Sequence, residues 1–273
     1  MLLTKLQLQS HIQAAKKLDK IKRDVFEFIK SGATEYEAQQ FILKKFKEEN
    51  LTSGRMRPIV ATNKNSKDPH YTPTEKKKND IISEGSLIMI DLWAKEKSPY
   101  GVYADITWMA SVKKSSPLEG SNGVVNLLPS TPTPSLSQTN KIFRIVIGAR
   151  DEAVKFIKKR LKENKPILGY EVDKIARNYI AKRGYGKNFI HSTGHSLDKN
   201  VHGSGVSLSS IKKKNHKLAR KKNKRKIPQN SPFTIEPGIY LDDFGVRSEI
   251  DCYIDDRNKL VITTEAQKKI VEI

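Results

Sequence analysis

Four acidic residues sit inside otherwise apolar runs: Asp91 in residues 86–93, Asp105 in 102–109, Glu236 in 233–241 and Glu249 in 246–254. Each run has the length and apolar content of a buried strand, and an ionised carboxylate is costly to bury unless it is paired or bound to a cation. The runs come in twos. Pro99-Tyr100-Gly101 joins the first pair and Asp242-Asp243-Phe244-Gly245 the second, so each pair is predicted to be a hairpin. Between the hairpins, residues 189–203 hold three histidines, His191, His195 and His202, with Gly194 and Gly203 among them. Acids at strand ends that face water are the plainer account of either hairpin alone. One histidine together with four strand-borne carboxylates is instead the donor set of a site built on two divalent cations, of the kind hydrolases use.

At 273 residues the chain can bury a substantial core, as one domain or as two closely packed halves. It contains no run of about eighteen apolar residues, and residues 1–5 do not open a signal peptide, so a cytoplasmic protein that does not enter a membrane is expected. The single cysteine, Cys252, excludes an internal disulfide framework and reads as core filler. The net charge of +21 would favour a polyanionic partner, but residues 212–226 alone carry ten Lys or Arg and no acid. Nearly half of the excess therefore belongs to one Lys-rich insertion, about 211–227. It can contact a nucleic acid or another polyanion through phosphates, yet no aromatic is interleaved for base stacking.

Helices are predicted over 5–30, where Leu18, Ile21, Val25 and Phe28 or Ile29 recur at helical spacing and Gly32 ends the run, and over a second segment opened by the capping box Thr34 and Glu37, with Phe41, Ile42 and Phe46 buried. Pro58, Pro69 and Pro73 predict extended chain and turns from 56 to 73. Residues 115–139 hold thirteen Ser, Thr or Pro and read as a linker or surface insertion. Helices resume at 140–161 and from Gly169 to about Gly184. Two helices followed by an acid-bearing hairpin thus occur twice, in a first half of about 1–112 and a second of about 140–273. The class is α+β, with two related halves in a single domain and one carboxylate pair drawn from each.

These residues resemble the pita-bread metallopeptidases, which include methionyl aminopeptidases, Xaa-Pro aminopeptidases and proline dipeptidases, over about residues 34–264. The resemblance rests on Asp91 in Ile-Met-Ile-Asp-Leu, Asp105 in Tyr-Ala-Asp-Ile-Thr, His195 in Thr-Gly-His-Ser-Leu, Glu236 in Phe-Thr-Ile-Glu-Pro-Gly and Glu249 in Arg-Ser-Glu-Ile-Asp, all in the family's order. It implies a central curved antiparallel sheet between the pseudo-symmetric halves. It also implies two divalent ions, manganese first with cobalt, zinc or iron also suited. Asp105 and Glu249 would bridge both ions, Asp91 would bind one, and His195 and Glu236 the other. A bridging hydroxide would attack the N-terminal peptide bond of a peptide substrate, and Glu236 would accept its proton.

His202 matches a histidine that steadies the tetrahedral intermediate. His70 and His191 resemble the substrate-side histidines of the proline-directed members, and Arg247 an arginine beside their metal site, so an Xaa-Pro aminopeptidase is expected. A methionyl aminopeptidase and a non-catalytic nucleic-acid or ribosome-binding protein are the alternatives. His11 and His216 match nothing and are expected at the surface. The sequence departs from the pattern in Asp198, in a fourteen-residue step from Asp91 to Asp105 assigned to a longer hairpin tip, and in Trp108, where a polar residue is common.

Overall fold

The computed structural model describes residues 3–29, 32–75, 81–114, 132–210 and 223–273. Most of the Ser/Thr/Pro-rich stretch and of the Lys-rich insertion, with His216, lies outside the described residues. Helix α1 (Lys5–Ile29) buries Leu18, Ile21, Val25 and Ile29 at the predicted spacing. Helix α2 (Glu35–Glu48) starts at the expected capping box, where Thr34 Oγ1 accepts from Glu37 N–H and the Glu37 carboxylate accepts from Thr34 N–H at 2.8 Å. Strands β1 (Leu51–Thr52) and β2 (Ile59–Thr62) follow, then β3 (Leu87–Glu96) and β4 (Ala104–Ser111) as the first hairpin.

The second half repeats the plan with helices α3 (Leu136–Lys162) and α4 (Gly169–Ala181). After them come β5 (Gly194–His195), β6 (Ser207–Leu208), β7 (Phe233–Ile235), β8 (Gly238–Tyr240), β9 (Gly245–Arg247), β10 (Ile250–Ile254), β11 (Leu260–Ile262) and β12 (Val271–Glu272).

The alternation of β3 and β4 decides where the acids go. Side chains at i and i+2 share a face, and directly opposed residues of an antiparallel pair lie on the same side. Ile88, Ile90, Leu92, Ala94, Ala104, Ile106 and Ala110 therefore pack under α1 and α2. Leu87, Met89, Trp93 and Met109 join the other core, with α3, α4 and the later strands. Asp91 opposes Thr107 and Trp93 opposes Asp105, so both acids face the second half. Trp108 lies on the opposite face, where its ring takes the ammonium of buried Lys22 at 3.5 Å. The unusual residue at 108 therefore does not touch the acidic face.

Several expectations need correction. The central sheet is mixed: β12 pairs with β4 in parallel, and the other ladders of that sheet are antiparallel. Helix α3 begins four residues before the predicted 140, just after Pro134-Ser135, with no capping bond from the Ser135 side chain. Within 56–73 the expected extended chain and turns are β2 and a 3-10 turn, Asn63–Lys67, anchored where the Asn63 side chain accepts Leu87 N–H at 2.9 Å. The second hairpin is not two continuous strands. It breaks at Glu236-Pro237, where proline has no N–H for a ladder, and at Ser248-Glu249 opposite, so β7 pairs with β10 and β8 with β9.

His11 is not a surface residue. It is fully buried, with Nδ1 2.8 Å from the Tyr103 carbonyl and Nε2 3.0 Å from Thr263 Oγ1, and it ties α1 to the residue just before β4 and to the chain after β11. His11 stands seven residues before Leu18 on the same helical face, so the stripe itself carries it inside, where a histidine with both nitrogens satisfied packs like an apolar ring. Among the described residues no helix is long and apolar enough to cross a membrane. Cys252 is buried as expected.

Burial lowers the His11 pKa from 6.5 to about 4, with the Tyr103 hydrogen bond opposing. The unfolded chain then binds a proton that the folded chain refuses as pH falls from 6.5 toward 4, so stability is lost across that window. His11→Gln should remove about 3 kcal/mol of this acid-side loss, an order-of-magnitude figure, and leave the slope above pH 7 unchanged. Urea denaturation at stepped pH checks this, and parallel curves for the two proteins would contradict it.

Candidate metal centre

The break in the second hairpin releases Glu236 and Glu249 from the ladder and sets both against the acidic face of the first. Glu249 N–H reaches the Thr107 carbonyl at 3.4 Å, and Thr107 Oγ1 donates to Glu249 Oε2 at 2.8 Å. The histidine strand runs beside β7: His195 N–H donates to Thr234 Oγ1 at 3.1 Å and Glu236 N–H to the Thr193 carbonyl at 2.8 Å. Gly194 permits this approach, since a Cβ there would lie 2.1 Å from the Thr234 carbonyl oxygen.

Asp91, Asp105, His195, Glu236 and Glu249 all line one cleft of about 530 Å³. One ligand atom from each of Asp105, His195 and Glu249 falls within 4.8 Å of the others. His195 Nε2 is 3.2 Å from Glu236 Oε1 and 3.9 Å from Asp105 Oδ2. Its Nδ1 lies 3.2 Å from the Ser196 carbonyl, so the ring proton belongs there and the Nε2 lone pair faces carboxylate oxygens. Two acceptors in contact require a proton or a cation between them.

The carboxylates make the same demand. Asp91 Oδ1, Asp105 Oδ1 and Glu249 Oε1 are buried without a hydrogen-bond partner. Burial, then the charges of Glu249 and Asp91, push the Asp105 carboxyl well above its usual range, and burial, then Glu236 and Asp91, do the same to Glu249. Burial also raises Asp91, with Arg247 opposing. For Glu236 burial is again the largest influence and would raise the carboxyl. The hydrogen bond and charge of His195, with His191 and Arg247, outweigh it and hold Glu236 down to about 2. Crowded, dehydrated oxygen donors with unused lone pairs and one imidazole fit divalent cations.

The other predicted residues converge on the same cleft. His70, His191, His202 and Arg247 line it, with His70 and His202 exposed and Arg247 buried. The ring of His202 meets that of His195 edge-on, with centroids 4.4 Å apart. His191 Nδ1 is 2.8 Å from the Ser192 carbonyl and Nε2 is 2.9 Å from Tyr240 Oη, so Nδ1 carries the proton and Tyr240 donates to Nε2. Burial keeps both neutral, lowering His191 to about 4 and raising Tyr240 to about 12. The Arg247 guanidinium is committed to Asp91, to Thr107 Oγ1 at 2.9 Å and to Tyr240 Oη at 3.2 Å.

Several supporting residues escaped sequence reasoning. Glu35, in the first turn of α2, is buried and accepts from Thr62 N–H at 2.6 Å, Tyr71 Oη at 2.6 Å and the Asn65 amide, which holds the segment carrying His70. Asp251 Oδ2 accepts Asp105 N–H at 2.8 Å and so fixes the backbone of that acid. Its spacing of two from Glu249 in extended chain was the available signal. Thr107, opposite Asp91 in register, had none beyond its place between two acids. Asp198, the residue that departs from the pattern, caps its own loop by accepting Asn200 and Ser204 N–H groups at 2.8 Å each.

Two helix pairs and two acid-bearing hairpins closing on one buried donor cluster are the architecture of a pita-bread metallohydrolase. The chain belongs to metallopeptidase family M24, whose family model matches residues 9–256. It is 28% identical over 263 residues to the uncharacterized peptidase YqhT of Bacillus subtilis, covering 95% of this chain and 61% of that protein. It is also 28% identical over 252 residues to an Xaa-Pro dipeptidase of Lactobacillus helveticus, covering 91% and 56%. Among solved structures, an X-Pro aminopeptidase from Thermotoga maritima superposes with TM-score 0.77 at 26% identity over 100% of this chain and 65% of that one. A prolidase from Thermococcus sibiricus gives 0.74 at 29% identity over 100% and 62%. The chain thus spans about three fifths of the length of these relatives.

If mutual repulsion dominates the ion-free site, Asp105→Asn should raise the melting temperature of chelator-treated protein by about 2–4 °C. Saturating Mn²⁺ should raise the unsubstituted protein by about 5–10 °C and leave the variant nearly unmoved. Scanning calorimetry with and without Mn²⁺ reads both; an equal Mn²⁺ shift in the two proteins would contradict the assignment.

Proposed function

We propose that the chain is an aminopeptidase that hydrolyses the N-terminal peptide bond of peptides whose second residue is proline, acting as one catalytic unit over residues 1–273 with two divalent cations. The observation that carries this is the approach of His195 Nε2 to Glu236 Oε1 at 3.2 Å, next to three buried carboxylate oxygens, of Asp91, Asp105 and Glu249, that lack partners. Asp91, Asp105, His195, Glu236 and Glu249 would hold the ions, with manganese the first candidate. When bound, the ions supply Lewis acidity that makes water a nucleophile near neutral pH and polarises the scissile carbonyl.

The chain's own residues supply the rest. Glu236, ionised and at the cleft wall, accepts the proton of the attacking water. His202, exposed beside His195, donates to the oxygen on which charge develops. His70 and His191 flank the substrate, and Arg247 holds Asp91 and Tyr240 in place at the cleft floor. Met56, Ile59, Trp93, Val201 and Val206 give the same cleft an apolar wall. Proline as the second residue is supported by the Xaa-Pro enzymes among the relatives.

Metal-reconstituted protein assayed on Ala-Pro and Met-Ala di- and tripeptides tests the proposal. The expected result is kcat/KM at least about tenfold higher for the proline peptides and activity on the tripeptides, with Glu249→Gln lowering kcat at least about 100-fold. Preference for Met-Ala would instead make the chain a methionyl aminopeptidase. Failure to cleave any peptide while nucleic acid is bound would make it a binding protein.

A further inference from the structure

Behind the histidine segment, helix α4 carries an ion pair at i and i+4 between buried Asp173 and half-buried Arg177. Asp173 has no exposed surface, yet its carboxylate receives hydrogen bonds from two elements besides its own helix. Arg177 donates through Nε at 3.0 Å and Nη2 at 3.1 Å. Thr193 donates its N–H at 3.0 Å and its hydroxyl at 2.8 Å. Ser210 donates its N–H at 2.8 Å and its hydroxyl. Arg177 reaches onward, from Nη1 to the Phe189 carbonyl at 2.8 Å and from Nη2 to the His191 carbonyl at 2.7 Å, with its guanidinium 4.2 Å over the Phe189 ring.

Thr193 joins this pair to the donor cluster. Its carbonyl accepts Glu236 N–H at 2.8 Å, and it lies two residues from both His191 and His195. Neither Asp173 nor Arg177 lines the cleft. A buried carboxylate with six donors is rigid, since each bond removes a degree of freedom and any shift leaves a buried charge unpaired.

We infer that Asp173 and Arg177 form a positioning pair with divided duties: Asp173, through Thr193, sets His195 against Glu236, and Arg177, through two carbonyls, sets His191 at the substrate side of the cleft. This assignment rests on the function proposed above for the kinetic half of its test, and on ion binding alone for the other half.

The test compares Asp173→Asn and Arg177→Lys in the full chain, with folding checked by circular dichroism. Mn²⁺ is titrated calorimetrically into chelator-treated protein, and kcat and KM are measured on an Ala-Pro tripeptide. Asp173→Asn should weaken Mn²⁺ binding roughly 10–100-fold. Arg177→Lys keeps the charge but loses the planar fork, so KM should rise at least about fivefold with Mn²⁺ affinity within about threefold of the unsubstituted protein. If Asp173→Asn does not fold, Thr193→Val removes one of the six bonds, and a loss of about threefold or more in Mn²⁺ affinity supports the pair. Folded variants with a lowered melting temperature but unchanged Mn²⁺ affinity and KM overturn it, leaving the pair a packing feature only. If the unsubstituted protein binds Mn²⁺ but cleaves no peptide, the peptidase proposal fails and the Mn²⁺ comparison still decides the role of Asp173.

Discussion

Like charges forced together in a dry place set the terms for this molecule. Asp91, Asp105, Glu236 and Glu249 approach from two hairpins more than a hundred residues apart in sequence, and three of them keep a buried oxygen without a hydrogen bond. Burial alone would protonate such a group, and each neighbouring carboxylate adds to the penalty. The protein offers only partial relief, through Arg247 on Asp91, Thr107 on Glu249 and His195 on Glu236. The remaining imbalance is what bound divalent cations would neutralise.

The scaffold makes this crowding sustainable by keeping the donors on rigid elements. The period of two in β3 and β4 commits one face to α1 and α2 and the other to the donors, so a one-residue slip of register would bury the acids under the helices. The break at Glu236-Pro237 and Ser248-Glu249 turns both glutamates out of the ladder without unpairing their neighbours. Behind these, buried polar side chains hold the loops: Glu35 for the His70 segment, Asp251 for the backbone of Asp105, and Asp173 with Arg177 for the histidine strand. Glu35 and Asp173 are buried with donors on both oxygens, whereas Asp251 keeps Oδ1 buried without a partner, as Asp91, Asp105 and Glu249 each keep one oxygen.

Much of this was legible in the order of residues. Helix stripes, the Thr34 capping box and the first hairpin follow from local periodicity, and the donors stood out because acids are rare in apolar runs. Nonlocal pairing was not legible. Nothing near His11 announces that Tyr103 and Thr263 will satisfy both of its nitrogens, and nothing in the run 233–254 beyond Pro237 announces that the hairpin will break in two. Asp173 and Glu35 carry no local signal of their roles, because their partners come from loops whose path depends on the whole fold. The parallel seat of β12 on β4 is equally a matter of tertiary contact rather than local pattern.

On the function proposed above, these carboxylates hold two cations close enough to share ligands. Electron paramagnetic resonance of chelator-treated protein loaded with two equivalents of Mn²⁺ addresses it most directly. Shared carboxylates predict an exchange-coupled spectrum that disappears in Asp105→Asn. A simple six-line spectrum of isolated ions, or manganese that remains free in solution, would contradict it.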